Sequence, residues 1–433
     1  MLYLGVGREI ITPKIGTYLG GYGSPGRNAV TVNDDLHVTA FCFRSKQNRA
    51  MLVSVEVVML DEDICLFLRE KIEKETGVSK DSIIIHAIHT HSAPVTFTLA
   101  GWGKPDGDYI ESILVPKMIS AAKNAAESEV WVKMAFRQGK SYVGINRREP
   151  DPATNKIMLG CWDAGCFNPN MSILSFYDEK DKCVANIIHY GCHATASGIN
   201  LEVSRDWPGV MIDALESHTG GITAFFNGAE GDVGPRLGIW KTVGAKDVKY
   251  ALEHGEIAAR DVLSIYETKC EPCEVDLCKT VRRISLPLNR RMSYDEAKSG
   301  VNIRKSGPAF TERQENYHKN ILDSYESGEL EKEYREIEQI AIRLGDVALF
   351  GVPFELFSEM PIRINLASEI PNVLCVALAN GYLGYLPTKG EIYKGGYEID
   401  MFTTESAQIY TDDVDFAVVT ETLKTLENLK GEW

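Results

Sequence analysis

The chain has 433 residues, which is long enough for one large α/β unit or for two to three average domains. Hydrophobic residues make up 44% and charged residues 25%, a globular composition that excludes a mostly disordered or fibrous protein. The 61 acidic residues outnumber the 46 basic ones, and the net charge of −15 would repel phosphate backbones and anionic lipid. We therefore predict a small-molecule substrate and no nucleic-acid partner.

The N-terminal residues are typical of a first strand and not of an export signal. No apolar stretch approaches the roughly 18–20 residues that span a bilayer, so no stable membrane insertion is expected. The ten cysteines, without an export signal, are typical of reduced thiols in the cytoplasm. Cys270, Cys273 and Cys278 have a spacing that suits a metal, but no second pair lies nearby, and we expect incidental thiols.

Apolar runs of strand length alternate with amphipathic helical stretches such as residues 61–76 and 109–126. This alternation predicts an α/β fold of mixed β-sheets flanked by helices. No internal repeat or strong linker is visible, which favours a single domain over residues 1–433. Residues 299–339 are highly charged, so we expect a charged helical insertion with a solvated face. A lid or an oligomer contact is the alternative for this segment.

Five apolar runs end in polar residues, with Gly or Pro turning the chain. The runs are residues 82–88, 184–188, 222–226, 347–353 and 373–379. Ligands of α/β sheets bind beyond the carboxyl ends of strands. Strand ends are also polar simply because they meet water, which explains Asn and Asp more easily than His. Two of these junctions contain five of the nine histidines: His86, His89, His91, His189 and His193.

Two histidine-rich junctions favour a metal site over a set of unrelated histidines. His89 and His91 are two residues apart, so both would point to the same face of an extended segment. This arrangement suits one imidazole on a metal and another beside it as a proton carrier. Imidazole and carboxylate are ligands that zinc takes in catalytic sites, where one position stays open for water. Iron or manganese would also suit these ligands.

Segments spread over most of the chain resemble the neutral (non-lysosomal) ceramidases, zinc-dependent amidases that cleave the N-acyl bond of ceramide. They occur in the family's order, and the ordered set is specific although no single motif is. The segments are residues 12–22, 34–36 (DDL), 89–94 (HTHSAP), 146–147 (NR), 193–195 (HAT), 204–209 (SRDWPG), 231–235 (GDVGP), 353–355 (PFE), 380–385 (NGYLGY) and 396–398 (GYE).

The resemblance implies a ceramidase-like catalytic domain that binds one zinc ion. The zinc ligands that it implies are His89, His193, Glu355 and Tyr385. It also implies that His91 faces the substrate carbonyl or transfers a proton. By the same resemblance, Arg147 and Tyr397 position or polarise the scissile group. Asp206 and Asp232 could orient a histidine ligand, or they could be turn-forming residues, which is the commoner role.

Three features depart from the family's pattern. The family's nucleophile is the Ser of a Gly-Asp-Val-Ser-Pro sequence, and the matching residue here is Gly234, which has no side chain to attack with. We expect no C-terminal immunoglobulin-like domain, because the chain ends at Trp433 soon after the last motif, and no export signal. The fold and the metal site are therefore expected to transfer, whereas ceramide as the substrate is not.

Our leading hypothesis is a zinc-dependent hydrolase of a small polar amide, ester or lactone, in which metal-activated water replaces the missing Ser. His91 would carry the proton, while Arg147 and Tyr397 would stabilise the oxyanion. A second hypothesis is a zinc-dependent lyase or isomerase of a hydroxy-carbonyl compound or sugar. A third is a catalytically inactive metal-binding homologue. Specificity would be set by loops such as residues 101–108, 168–171 and 241–246.

Overall fold

A computed structural model describes residues 1–23, 27–237, 247–301 and 308–429, with Pro308 described only in its backbone. The loop at 241–246 and part of the segment at 299–339 lie outside the described residues. The strands are β1 (Leu2–Ile10), β2 (Thr31–Val32), β3 (His37–Ser45), β4 (Asn48–Val55), β5 (Ile83–Ala87), β6 (Val130–Lys140), β7 (Gly144–Asn146), β8 (Arg148–Pro150), β9 (Ile157–Leu159), β10 (Asn170–Tyr177), β11 (Cys183–Tyr190), β12 (Glu202–Val203), β13 (Ile222–Asn227), β14 (Val233–Pro235), β15 (Leu277–Pro287), β16 (Tyr334–Leu344), β17 (Val347–Gly351), β18 (Glu355–Leu356), β19 (Asn372–Val376) and β20 (Tyr385–Leu386).

The helices are α1 (Glu62–Thr76), α2 (Gly107–Tyr109), α3 (Val115–Glu127), α4 (Asp206–Thr219), α5 (Lys249–Tyr266), α6 (Tyr294–Gly300), α7 (Pro308–Glu326), α8 (Glu359–Ala367), α9 (Lys389–Ile392), α10 (Tyr397–Phe402) and α11 (Val414–Glu427). A π-helical turn, Ile110–Leu114, joins α2 to α3, and a 3-10 turn, Lys80–Ser82, precedes β5. None of the helices in the described ranges has the length and hydrophobicity that a bilayer span requires.

Two sheets form the centre of the molecule. The large sheet has the order β13-β11-β10-β6-β1-β3-β4-β5, and the small sheet has the order β15-β16-β17-β19. The sheets pack face to face through apolar side chains such as Phe41 and Ile187 from the large sheet and Ile342 from the small one. Helices α1, α3, α4 and α5 cover the outer face of the large sheet, while α8 and α11 cover that of the small sheet. This layered arrangement of mixed sheets and helices confirms the predicted α/β class.

A hairpin followed by a helix and a parallel strand occurs three times. The modules are β3-β4-α1-β5, β10-β11-α4-β13 and β16-β17-α8-β19. In each module the last two strands pair in parallel, so their carboxyl ends lie at the same edge. The three modules share their backbone arrangement and not their sequence. Each packs against different neighbours and therefore requires different side chains, so the sequence shows no repeat.

The charged segment at residues 299–339 is helical only in part. Helix α7 matches the prediction, but β16 begins at Tyr334 and is an inner strand of the small sheet. The prediction of a helical insertion up to residue 339 is therefore wrong for its C-terminal end. Around Ile337, exposed and buried positions alternate along the strand. Alternation with a period of two specifies a strand, and a count of charged residues does not detect it.

Candidate metal centre

His89 and His91 follow β5 in a backbone that is not extended. His89 has a φ of 69°, a left-handed conformation that residues with a side chain rarely adopt and that is often found at functional sites. The two Nε2 atoms lie 3.2 Å apart, with the rings at 82° to each other. The expectation that both side chains share a face of an extended segment is thus wrong. The two rings meet because the left-handed residue turns the chain.

Backbone carbonyls orient His89 and His193. Nδ1 of His89 bonds the carbonyl of Val58, and Nδ1 of His193 bonds the carbonyl of Glu230, both at 2.8 Å. A carbonyl only accepts, so Nδ1 carries the proton in both rings and Nε2 presents a lone pair. The two modules orient their histidines in the same way. In each, the histidine follows one strand of a parallel pair, and the residue whose carbonyl it contacts follows the other strand.

Glu355 and Tyr385 are the first residues of β18 and β20, a parallel pair that places both side chains beside the histidines. Oε2 of Glu355 lies 3.0 Å from Nε2 of His193 and 3.5 Å from Nε2 of His89. Oη of Tyr385 lies 3.4 Å from Nε2 of His193. The structure therefore brings together the four side chains that the family resemblance singles out, and all are almost completely buried.

The distances and chemistry of these atoms fit a zinc ion. Ligand atoms at 2.0–2.1 Å from a tetrahedral zinc are about 3.3 Å apart, and Oε2 of Glu355 lies 3.0 Å and 3.5 Å from the Nε2 atoms of His193 and His89. Two imidazole lone pairs face the carboxylate of Glu355, and such acceptors repel one another unless a cation lies between them. His91 joins His89 and His193 in a group whose ligand atoms lie within 4.8 Å of one another.

Burial keeps the imidazoles of His91 and His193 neutral. Burial, followed by the charge of Arg147, lowers the pKa of His193 to about 3. Burial and the neighbouring imidazoles hold the pKa of His91 well below its ordinary value. At neutral pH these two imidazoles are therefore in the neutral form that metal binding requires.

Arg147 and Tyr397 lie on one side of the centre. Nη2 of Arg147 donates to Oη of Tyr385 at 2.9 Å, and its Nε pairs with Glu398 at 2.8 Å. The ring of Tyr397 lies 5.8 Å from the ring of Tyr385 and 5.9 Å from the guanidinium carbon of Arg147. His91 is the most accessible of the three clustered histidines. These positions suit contacts with a ligand rather than with the metal alone.

Within the described residues, neither Asp206 nor Asp232 is hydrogen-bonded to a histidine. Asp206 accepts from the backbone N–H groups of Ala196 and Ser197, each at 2.9 Å. Asp232 accepts from the backbone N–H of Ser358 at 2.8 Å, and burial raises its pKa to about 7. Both residues therefore order loops, which is the commoner of their two predicted roles, while carbonyls orient the histidines.

Gly234 lies in β14 and pairs with Ile145 of β7. The carbonyl of the preceding residue, Val233, contacts Nδ1 of His193 at 3.1 Å, so position 234 is close to the centre along the chain. No side chain extends from this position toward the ligands.

The sequence patterns assigned no role to two buried carboxylates, those of Glu230 and Glu398. Both oxygens of Glu230 lack a hydrogen-bond partner within the described ranges, and burial raises the pKa of this residue well above its ordinary value. Glu398 pairs with both Arg147 and Arg148. Their position in the sequence was the available indication of a role. Glu230 lies within residues 227–235, and Glu398 lies in the GYE segment, both beside predicted site residues.

No profile of a known protein family matches the chain. Neutral ceramidase A of Dictyostelium discoideum is 26% identical over 255 residues, which make up 52% of this chain and 35% of that protein. A crystal structure of neutral ceramidase from Pseudomonas aeruginosa superposes with a TM-score of 0.74 at 18% identity, covering 100% of this chain and 75% of the other. A ceramidase complexed with C2 gives a TM-score of 0.70 at 18% identity, with coverage of 100% and 76%.

The sequence match spans 35% of the length of neutral ceramidase A, whereas the structural likeness extends over the whole of this chain. Sequence and fold agree with each other and confirm the resemblance seen in the motifs. The chain carries a neutral-ceramidase-like domain.

Proposed function

We propose that the chain is a zinc-dependent hydrolase of a small polar substrate with an amide, ester or lactone bond. One observation carries the proposal: the Nε2 lone pairs of His89 and His193 face the buried carboxylate of Glu355, a donor set that a divalent cation completes. The ceramidase-like fold supports hydrolysis as the reaction class. The net charge of −15 disfavours docking on anionic lipid, so we do not propose ceramide as the substrate.

A zinc ion held there would polarise a carbonyl oxygen and lower the pKa of a bound water to about 7. His91 is neutral and lies beside His89, so its imidazole can take a proton and pass it to the leaving group. Nη1 of Arg147 has no hydrogen-bond partner among the described residues and can donate to a developing oxyanion, as can the phenol of Tyr397. Gly234 offers no nucleophile, so we propose direct attack by water.

The first test is the metal content of the purified protein, measured by mass spectrometry beside His193→Ala. We expect about one zinc per chain in the wild type and almost none in the variant. His218→Ala, at a surface position outside the centre, is the matched control and should keep its zinc. A wild type without metal, and without uptake when zinc is added, would contradict the proposal.

The second test is turnover of amides, esters and lactones in ¹⁸O-labelled water. Incorporation of the label into a product supports hydrolysis, and chelation of the metal should abolish it. A hydroxy-carbonyl substrate converted without a change in mass would favour the isomerase alternative. A chain with full zinc occupancy and no turnover of any substrate would indicate an inactive homologue. Full activity in verified metal-free protein would refute zinc catalysis.

A further inference from the structure

Two consecutive arginines, Arg147 and Arg148, form ion pairs with one buried glutamate, Glu398, next to the candidate centre. Oε1 of Glu398 lies 2.8 Å from Nε of Arg147, and its Oε2 lies 2.7 Å from Nη1 of Arg148. Glu398 has no exposed surface. Because a buried carboxylate between two guanidinium groups is fixed by charge-assisted hydrogen bonds, its position in turn fixes theirs.

The two arginines depend on Glu398 to different degrees. Arg148 has other partners, the carboxylate of Glu391 at 3.0 Å and the carbonyl of Gly395 at 2.7 Å. Nε of Arg147 donates to the carboxylate of Glu398, and the other hydrogen bond of this guanidinium goes to the hydroxyl of Tyr385. Loss of Glu398 would therefore release Arg147 and leave Arg148 anchored.

A released Arg147 has another buried carboxylate within its electrostatic reach. The hydroxyl of Tyr385, which accepts from Arg147, lies 3.4 Å from Nε2 of His193, and Oε2 of Glu355 lies 3.0 Å from the same nitrogen. A buried cation without its partner moves toward the nearest available anion, because an unpaired buried charge is costly. Such a movement would compete directly with metal binding.

We propose that Glu398 is a positioning residue that keeps the guanidinium of Arg147 on the hydroxyl of Tyr385 and away from Glu355. It thereby leaves the carboxylate of Glu355 free for a cation and Nη1 of Arg147 free for a ligand. The part that concerns the ligand rests on the proposed function, whereas the part that concerns the position of Arg147 does not.

The backbone at the start of α10 places Glu398 beside Arg147. Gly396 has a φ of 99°, and a Cβ at this position would lie 3.3 Å from Nη1 of Arg148. The turn at this glycine begins α10, whose first two residues, Tyr397 and Glu398, both contact Arg147. A single short segment thus supplies the aromatic and the acidic neighbour of the same guanidinium.

The test compares Glu398→Gln with a matched control, Glu391→Gln, which removes the other carboxylate of Arg148 and leaves the pair with Arg147 intact. Crystal structures of both variants show where Arg147 lies, and they require neither zinc nor turnover. We expect Arg147 to leave Tyr385 in Glu398→Gln and to stay in Glu391→Gln. An unchanged contact with Tyr385 in Glu398→Gln would overturn the proposal, even if the chain proved to bind no zinc.

The zinc dissociation constant, measured by competition with a chromophoric chelator, provides the second readout. Glu398→Gln should weaken binding about 10-fold or more, as supporting residues of metal sites do, and Glu391→Gln should leave it nearly unchanged. In an Arg147→Ala background, Glu398→Gln should have no further effect, because Glu398 acts through that arginine. The same weakening in both backgrounds would overturn the proposal. If Glu398→Gln does not fold, Glu398→Asp, which keeps the charge, tests the same contact.

Discussion

The two histidine-rich junctions contain two kinds of histidine. The strand histidines, His86 and His189, lie within β5 and β11 and bond carbonyls at the end of β19, those of Ala377 and Cys375, each at 2.6 Å. The loop histidines lie beyond the strands and are His89, His91 and His193. Strand histidines connect the large sheet to the small one, whereas loop histidines meet one another. Each junction contains histidines of both kinds.

Neither burial nor a free nitrogen separates the two kinds. Nδ1 of His189 also lacks a hydrogen-bond partner within the described ranges, yet His189 is not a member of the group of metal-capable ligand atoms found there. The loop histidines differ because the Nε2 atoms of His89 and His193 converge from two modules onto the carboxylate that a third module supplies. Nε2 of His91 lies beside that of His89. A candidate metal site is thus defined by convergence of lone pairs. The following variants test this distinction.

Glu355→Gln should have the largest effect, because it removes the negative charge that balances a cation in a buried site. We expect the zinc content to fall to a small fraction and turnover to fall by more than about 10³-fold. Metal analysis and steady-state kinetics measure the two effects. Glu129→Gln is the control, since Glu129 pairs with Arg44 and Arg49 at the end of β4 that lies away from the centre. Wild-type zinc content in Glu355→Gln would contradict the assignment of this ligand.

His91→Ala should separate proton transfer from metal binding within the loop histidines. We expect turnover to fall by about 10²–10⁴-fold, the usual contribution of a general acid or base, with zinc content unchanged. The same two measurements apply. Loss of zinc as complete as in His193→Ala would make His91 a metal ligand instead of a proton carrier.

His86→Phe should show the opposite pattern for a strand histidine. The carbonyl of Ala377 and the backbone N–H of Asn227 would lose their buried partner. We expect the free energy of unfolding to fall by about 2–4 kcal/mol in urea titrations, with zinc per folded chain unchanged. Loss of zinc from fully folded His86→Phe would show that the strand and loop histidines are not functionally distinct.

The pH dependence of stability should give the smallest effect. Burial lowers the pKa of His189 to about 4 in the folded chain, below the ordinary value of 6.5. The unfolded chain therefore takes up the proton first, so this contribution to stability is complete above pH 6.5 and is lost as the pH falls toward 4. We expect about 1–2 kcal/mol less stability at pH 5 than at pH 7 from this group.

Denaturant titrations of metal-free wild type and His189→Gln at both pH values measure this difference. Glutamine does not titrate, so the variant should lose less stability between pH 7 and pH 5. An equal loss in both proteins would show that His189 does not contribute to acid sensitivity.

Several elements of the fold were predictable because their patterns are local. All five apolar runs contain strands, namely β5, β11, β13, β17 and β19. These strands are buried on both faces, and such strands have continuous apolar sequences. The helix at residues 61–76 is α1, and the stretch at 109–126 lies in the helical segment formed by α2, the π-helical turn and α3. The prediction missed β16 because this strand is rich in charged residues, which alternate with buried positions at its start.

The site was predictable in its residue types and not in its geometry. The motifs indicated the residues that meet, and their assignment as zinc ligands stays a prediction. The left-handed backbone of His89 had no local indication, since only a few per cent of residues other than glycine adopt it. The carbonyls that orient His89 and His193 come from other strands, and any residue has a carbonyl, so no sequence pattern marks them.

The sequence by itself determined the buried apolar strands and the amphipathic helices, although not β16, and it placed histidine, glutamate and tyrosine at strand ends. Hydrophobic period and residue type act over a few neighbouring positions, so they can be read locally. Only the tertiary structure decided that three strand pairs end at one place, which lone pairs face each other, and that Arg147 meets Glu398 across 251 positions of the chain. Contacts between distant segments depend on how whole sheets pack, and that packing is a property of the entire chain.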